Sequence, residues 1–145
     1  MQNIQRVKRV QLKLNQINDF LLLGLVTSEP DYKLSLTLNN KFRISLKNIS
    51  PVEISDDNES VLTFSRFSDT DSSGIMYNLI SNRSGKYFLL RKLKNIDYIF
   101  QVHDSENINN INLITDSLRE IESVNAVLGI DTNTLKDKNL HYLTL

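Results

Sequence analysis

IDYIFQVHDSENINNINLITDSLREIESVNAVLGID, residues 96–131, decides how the chain is read. Ile96–Val102 is a strand by its alternation, with Tyr98, Phe100 and Val102 on one face. Further on, Ile111, Ile114, Leu118 and Ile121 recur at helical spacing, while Asp116, Arg119, Glu120 and Glu122 occupy other faces. That pattern predicts an amphipathic helix over about residues 107–122. Val124–Asp131 is the next strand. With short connections, the three form one strand–helix–strand unit.

Upstream, two periods compete. Val61–Phe67 is β-rich, and Ser68–Gly74 is a loop by composition. Ile75–Ser81 and Tyr87–Leu90 read as strands around an Asn82-Arg83-Ser84-Gly85 turn, so two successive hairpins are the simplest arrangement. Glu53–Ser60, after Pro51, is an acidic connector. Residues 34–46 admit two readings. Leu34, Leu36 and Leu38, then Phe42, Ile44 and Leu46, alternate as a hairpin does. Yet Ser28-Glu29-Pro30-Asp31 is a helix start, with a hydroxyl cap, Pro in the first turn and acids near the positive dipole end. Leu34, Leu38 and Phe42 are then its apolar stripe. Phe20–Thr27 is a buried strand. Val10–Leu14 alternates as well, and Asn15, Asn18 and Asp19 favour a turn joining the two as a hairpin. The rival is a basic amphipathic helix along Ile4, Val7, Val10, Leu14, Ile17 and Leu21.

The chain of 145 residues suits one domain spanning 1–145. The expected fold is α+β: a mostly antiparallel sheet with two main helices on one face, in the order β-β-α-β-β-β-β-β-α-β. Its core would draw on Leu12, Leu14, Leu22, Leu34, Leu38, Phe64, Tyr98, Phe100, Ile114, Leu118, Ile121, Ala126 and Leu128. With 17 basic and 17 acidic residues the formal charge is zero, unlike a generic polyanion binder. The absence of Cys excludes disulfides, thiolate nucleophiles and Cys-ligated metal. Phe20–Val26 is the longest apolar run, far short of the roughly 20 residues that span a bilayer. Asp19 abuts it and no small-residue cleavage site follows, so it does not read as a leader peptide. A cytoplasmic protein without membrane contact is expected. The Asn-x-Ser sequons at Asn48, Asn58 and Asn82 then carry no meaning.

Asp19-Phe20-Leu21-Leu22-Leu23-Gly24-Leu25, followed by Asp31-Tyr32-Lys33-Leu34 and Leu38-Asn39, resembles the opening of the IPExxDY family of small uncharacterised bacterial proteins. Ile96-Asp97-Tyr98, with the later helix and strand, is similar to that family's second half, and Leu135-Lys136-Asp137-Lys138-Asn139-Leu140 resembles its closing segment. The Ile-Pro-Glu part of the signature is missing, since no Pro follows Pro51. The resemblance implies a strand in the first segment and a helix after Ser28. It carries no site.

The motifs that imitate chemistry fail on their essential residues. Asp69–Gly74 opens like a calcium loop, but Ile80 stands where the bidentate Glu belongs. Ser84-Gly85-Lys86 lacks both the earlier Gly and the hydroxyl after Lys that a phosphate loop needs. His103-Asp104-Ser105 holds triad residue types, yet triads assemble in space rather than in succession. His103 reads as a partly exposed edge histidine. With His141 the only other one, no zinc site is expected, and no cofactor. Asp97 is the acid that stands out, at the mouth of an apolar strand beside Tyr98. A partly buried carboxylate there needs partners, and backbone N–H groups or Lys92 and Lys94 are the candidates.

Charge is segregated although the total is zero. Residues 1–49 carry eight cations against three acids, residues 83–94 five cations and no acid, and residues 97–131 seven acids against Arg119. Arg83, Lys86, Tyr87, Arg91, Lys92 and Lys94 are therefore the candidate interaction surface, and Asp97 and Tyr98 a structural signature. The expected function is a non-catalytic interaction or adaptor protein that binds a protein, self-association included, since open sheets leave edges that pair. One alternative is an RNA- or ribonucleoprotein-associated factor using basic stretches 6–13 and 83–94. Another is a small-ligand-binding regulatory domain, by analogy of the late strand–helix–strand unit with ferredoxin-like folds. Enzyme activity is the least expected.

Overall fold

A computed structural model describes residues 20–55, 60–104 and 111–143. The elements in chain order are β1 (Phe20–Val26), α1 (Asp31–Phe42), β2 (Lys47–Ser55), β3 (Val61–Thr70), β4 (Met76–Ser81), β5 (Arg83–Ser84), β6 (Tyr87–Phe88), β7 (Tyr98–His103), α2 (Ile111–Arg119) and β8 (Ala126–Gly129). A 3₁₀ turn at Leu140–Tyr142 follows. Six strands form one sheet in the order β2-β3-β4-β7-β1-β8, and every neighbouring pair is antiparallel. The fold is α+β. β7 and β8 flank β1 and both oppose it, so they run parallel to one another with α2 as their crossover. This is the expected strand–helix–strand unit, with β1 inserted between its strands.

Both helices pack on one face of the sheet. Leu34 and Leu38 of α1 and Ile114 and Leu118 of α2 share a buried cluster with Leu23, Leu79 and Phe100. The helical reading of residues 34–42 wins because Leu34 and Leu38 are fully buried, while Leu36, the residue that strand alternation would also bury, is 61% exposed. Ser28 is not its cap: Pro30 holds that position, and no side chain caps it. At the other end Arg43 takes φ 54°, and the Asn39 side chain accepts from Leu46 N–H at 2.7 Å. The chain thus leaves α1 with Ile44 and Leu46 buried but not in a strand.

The opposite face is covered too, by irregular chain. Leu22, Phe64, Ile80 and Ile99 pack there against Leu89, Leu90, Ile96 and Leu143. Strands with apolar neighbours on both sides, such as Leu22-Leu23 and Ile99-Phe100, need both faces buried. One polar pair sits in this layer: Asn78 Nδ2 donates to Gln101 Oε1 at 3.1 Å, and Gln101 Nε2 donates to the Leu143 carbonyl. That pair fastens the last described turn onto the sheet. Gly24 answers the same crowding. A Cβ there would lie 2.3 Å from Ile96 Cδ1 and 2.8 Å from its Cγ1. Only glycine lets Ile96, 1% exposed, lie flat on β1.

Several expectations are corrected. β1 has β7 on one side and, over Leu23–Val26, β8 on the other. Val10–Leu14, Leu12 and Leu14 lie outside the described residues. The expected connector Glu53–Ser60 begins within β2, whose last three residues are Glu53–Ser55; β2 is an edge strand that tolerates Pro51 beside a bulge between Ile49 and Val52. β3 runs on to Thr70, and the remaining turn is built by Asp71, whose Oδ1 accepts from Ser73 and Ile75 N–H. The second hairpin exists only as the isolated β5–β6 ladder, because β7 occupies the far edge of β4. His103 ends a central strand, not an edge. In β8 the buried residue is Val127, while Leu128 is 39% exposed and Ala126 half-buried. Alternation fixes the period of a strand but not which phase faces the core.

Candidate functional site

Between β4 and β7 the chain leaves the sheet for residues 82–97, and this excursion carries the whole candidate surface. Its anchor is Asn82, fully buried. Asn82 Oδ1 accepts from Leu90 N–H at 2.8 Å, and Nδ2 donates to the carbonyls of Leu93 and Ile96, each at 2.9 Å. Its backbone carbonyl accepts from Leu89 N–H and its own N–H donates to the Asp97 carbonyl. One side chain therefore ties down three points of a segment that has no long ladder of its own. Leu89, Leu90 and Ile96 then bury their side chains in the second core layer. At the tip, Gly85 takes φ 59° in the two-residue turn between β5 and β6, a conformation that favours glycine.

The closing segment locks the same excursion from beneath. Asn139 Nδ2 donates to the Leu89 carbonyl at 2.7 Å, and Asp137 Oδ2 accepts from Lys92 N–H at 3.1 Å. Exposed Lys136 and Lys138 flank Asp137 and so add two cations to the neighbourhood of Lys92. This extension was not visible as spacing, because some 45 residues separate the two stretches.

Arg83, Lys86, Tyr87, Arg91, Lys92 and Lys94 are all exposed, and all lie on this one excursion. Arg83 differs from the rest: its Nε donates to Asp97 Oδ1 at 2.5 Å, and its guanidinium lies 4.8 Å from the Phe88 ring centre. Lys86 Nζ sits 5.7 Å from the Tyr87 ring centre. Among the described residues, no ion pair engages Lys86, Arg91, Lys92 or Lys94. The result is a backbone fastened from below, with cations above it that no ion pair engages among the described residues.

Asp97 and Tyr98 hold the turn between β1 and α1. Asp97 Oδ2 accepts from Thr27 N–H at 2.9 Å, and Tyr98 Oη donates to the Glu29 carbonyl at 2.7 Å. The expected backbone cap on Asp97 is present, but its charge partner is Arg83, not Lys92 or Lys94. Arg83 lies closer because β5 continues directly from β4, whose Ser81 faces Tyr98 across the ladder. Both residues line an open groove beside the start of α1, of about 310 Å³. A neighbouring groove of about 520 Å³ shares Pro30, Ser81, Arg83 and Tyr98 and continues to Ile49 and Pro51. The polar atoms of Asp97 and Tyr98 are spent within the protein, so their role here is to shape the turn.

Burial raises the Tyr98 hydroxyl to about 12, with Asp31, Asp97 and Glu29 adding to the shift. The unfolded chain ionises this group near pH 10, so the folded state binds more protons between pH 10 and 12. Stability from this group is complete below pH 10 and is lost as pH rises through about 12. In urea titrations the wild type is expected to lose roughly 1–3 kcal/mol more over that interval than Tyr98→Phe does. Parallel losses in the two proteins would show that the hydroxyl is not held as described.

Among the described residues no three His, Asp or Glu side chains converge as a metal site. No helix of the described residues is long and apolar enough to cross a membrane. No protein-family model matches the chain, and none of the curated proteins or solved structures matches it significantly.

Proposed function

We propose that this protein is a non-catalytic interaction domain whose contact surface is the basic excursion of residues 83–94, and that its partner is an acidic protein surface. One observation carries the reading: four cations without ion-pair partners stand on a segment whose backbone is fastened by the buried Asn82. A loop serving only as a connector has no need of three side-chain bonds to a single buried amide. Fixed cations lose little freedom on binding and steer an anionic partner at long range. The acidic stretch 97–131 of a second copy is one such partner surface. The resemblance to the IPExxDY family adds no activity to this reading. It fits a role for Asp97 and Tyr98 in supporting the surface rather than in forming it.

A second reading, RNA binding, is favoured by the extension of the basic face through Lys136 and Lys138 and by the His141 and Tyr142 rings, whose centres lie 4.1 Å apart at the end of the same segment. Cations interleaved with rings suit single strands. A fluorescent Glu-rich peptide and a single-stranded RNA of equal length separate the two readings. For Arg91→Gln/Lys92→Gln/Lys94→Gln the peptide is expected to bind about tenfold more weakly or worse, a loss of about 1.4 kcal/mol. Preferential binding of the RNA, with a steep salt dependence, favours the second reading. Unchanged affinity of the triple variant for both probes excludes this surface.

A further inference from the structure

The two edges of the sheet are unlike. β2 is defended by Pro51, by the bulge between Ile49 and Val52, and by Lys47 and Glu53. β8, at the other edge, reads Ala-Val-Leu-Gly and carries none of these devices. Ile130 N–H bonds to the Leu22 carbonyl, and antiparallel alternation then turns the N–H and C=O of Gly129 and Val127 away from β1. Among the described residues no strand pairs with that side. Beside it opens a cavity of about 420 Å³, lined by Leu93, Ile96, Leu128, Ile130 and Leu135 with Asp131 at its rim. A Cβ built at Gly129 meets nothing within 4 Å, so a substitution there meets no steric obstacle on that face.

An edge with no strand partner among the described residues, next to an apolar pocket, is the arrangement by which sheets capture extended segments: backbone bonds supply affinity and the pocket selects a side chain. The charges select further. Exposed Glu122 precedes β8 and exposed Asp131 follows it, with no exposed cation between them. We infer that β8 is a strand-addition site for an extended segment of a partner that places an apolar side chain in the Leu93–Leu128 cavity and a basic side chain beside Asp131 at its rim. This surface is separate from residues 83–94, and its partner has the opposite charge.

The probe is the acetylated, amidated peptide Lys-Val-Lys-Leu-Lys-Val-Lys, with Glu in place of Lys as control, followed by fluorescence anisotropy and amide hydrogen exchange. The basic peptide is expected to bind and to slow exchange at Val127 and Gly129. Gly129→Pro removes only an outward N–H and leaves the Ile130–Leu22 bond in place. It is expected to weaken binding about tenfold or more without shifting the thermal midpoint. Should that variant fold poorly, Leu128→Lys, which puts a charge at the cavity mouth, is expected to weaken binding likewise. Asp131→Lys is expected to do the same, and Arg91→Gln/Lys92→Gln/Lys94→Gln to leave binding unchanged. Equal binding by the wild type and Gly129→Pro overturns the inference, and so does protection that falls elsewhere. Concentration-dependent dimerisation that Gly129→Pro abolishes, with no binding of the basic peptide, overturns it as well by making a second copy the occupant.

Discussion

Asn82→Ala is expected to lower stability by about 3–5 kcal/mol, the largest loss of any single polar substitution among the described residues. The side chain is fully buried, so water does not replace what it supplies. Its removal strands the N–H of Leu90 and the carbonyls of Leu93 and Ile96, and each buried group left without a partner costs roughly 1–3 kcal/mol. Asn82→Asp serves as a sharper control. It keeps the acceptor for Leu90 but turns an oxygen toward two carbonyls, so it is expected to cost at least as much as the alanine. Urea unfolding measures both. A loss under about 1 kcal/mol for either would mean that Leu89, Leu90 and Ile96 hold the excursion by apolar packing alone. The surviving folded fraction of Asn82→Ala is also expected to bind its partner more weakly, because the cations above lose their fixed spacing.

Asp97→Ala is expected to cost about 2–3 kcal/mol. The carboxylate holds Thr27 N–H on one oxygen and Arg83 on the other. Thr27 is 5% exposed, so its N–H is left without a partner, whereas the Arg83 side chain is 47% exposed and reaches water. Most of the loss therefore comes from the turn between β1 and α1 and little from the ion pair. Partner binding by the folded fraction should survive, since Arg91, Lys92 and Lys94 are fastened through Asn82 and Asp137. Unchanged stability combined with abolished binding would reverse this assignment and make Asp97 part of the contact surface.

What could be read from the sequence follows from how local each signal is. β7 and α2 were legible because Tyr98, Phe100 and Val102, and then Ile114 and Leu118, show their period within a few residues. Residues 34–46 were ambiguous because leucines at 34, 36 and 38 satisfy both periods, and tertiary burial of Leu34 and Leu38 decides. β2 was hidden by Pro51, which reads as a breaker unless the strand is known to be an edge. The basic residues of the surface were visible as a charge run, but the reason they stand together was not. Asn82 looks like any turn asparagine, and its burial depends on chain that returns eight to fourteen residues later. Lys136 and Lys138 join the surface only through Asp137 and Asn139, contacts that no period announces.

We propose residues 83–94 as a rigid surface for an anionic partner. Its most direct test is a titration of the ¹⁵N-labelled protein with the Glu-rich peptide, followed amide by amide. Chemical-shift changes are expected at Arg83, Lys86, Tyr87 and Arg91–Lys94, with the Leu89 and Leu90 amides protected from exchange before and after addition. Changes confined to other parts of the protein, or rapid exchange of Leu89 and Leu90 in the free protein, would contradict it.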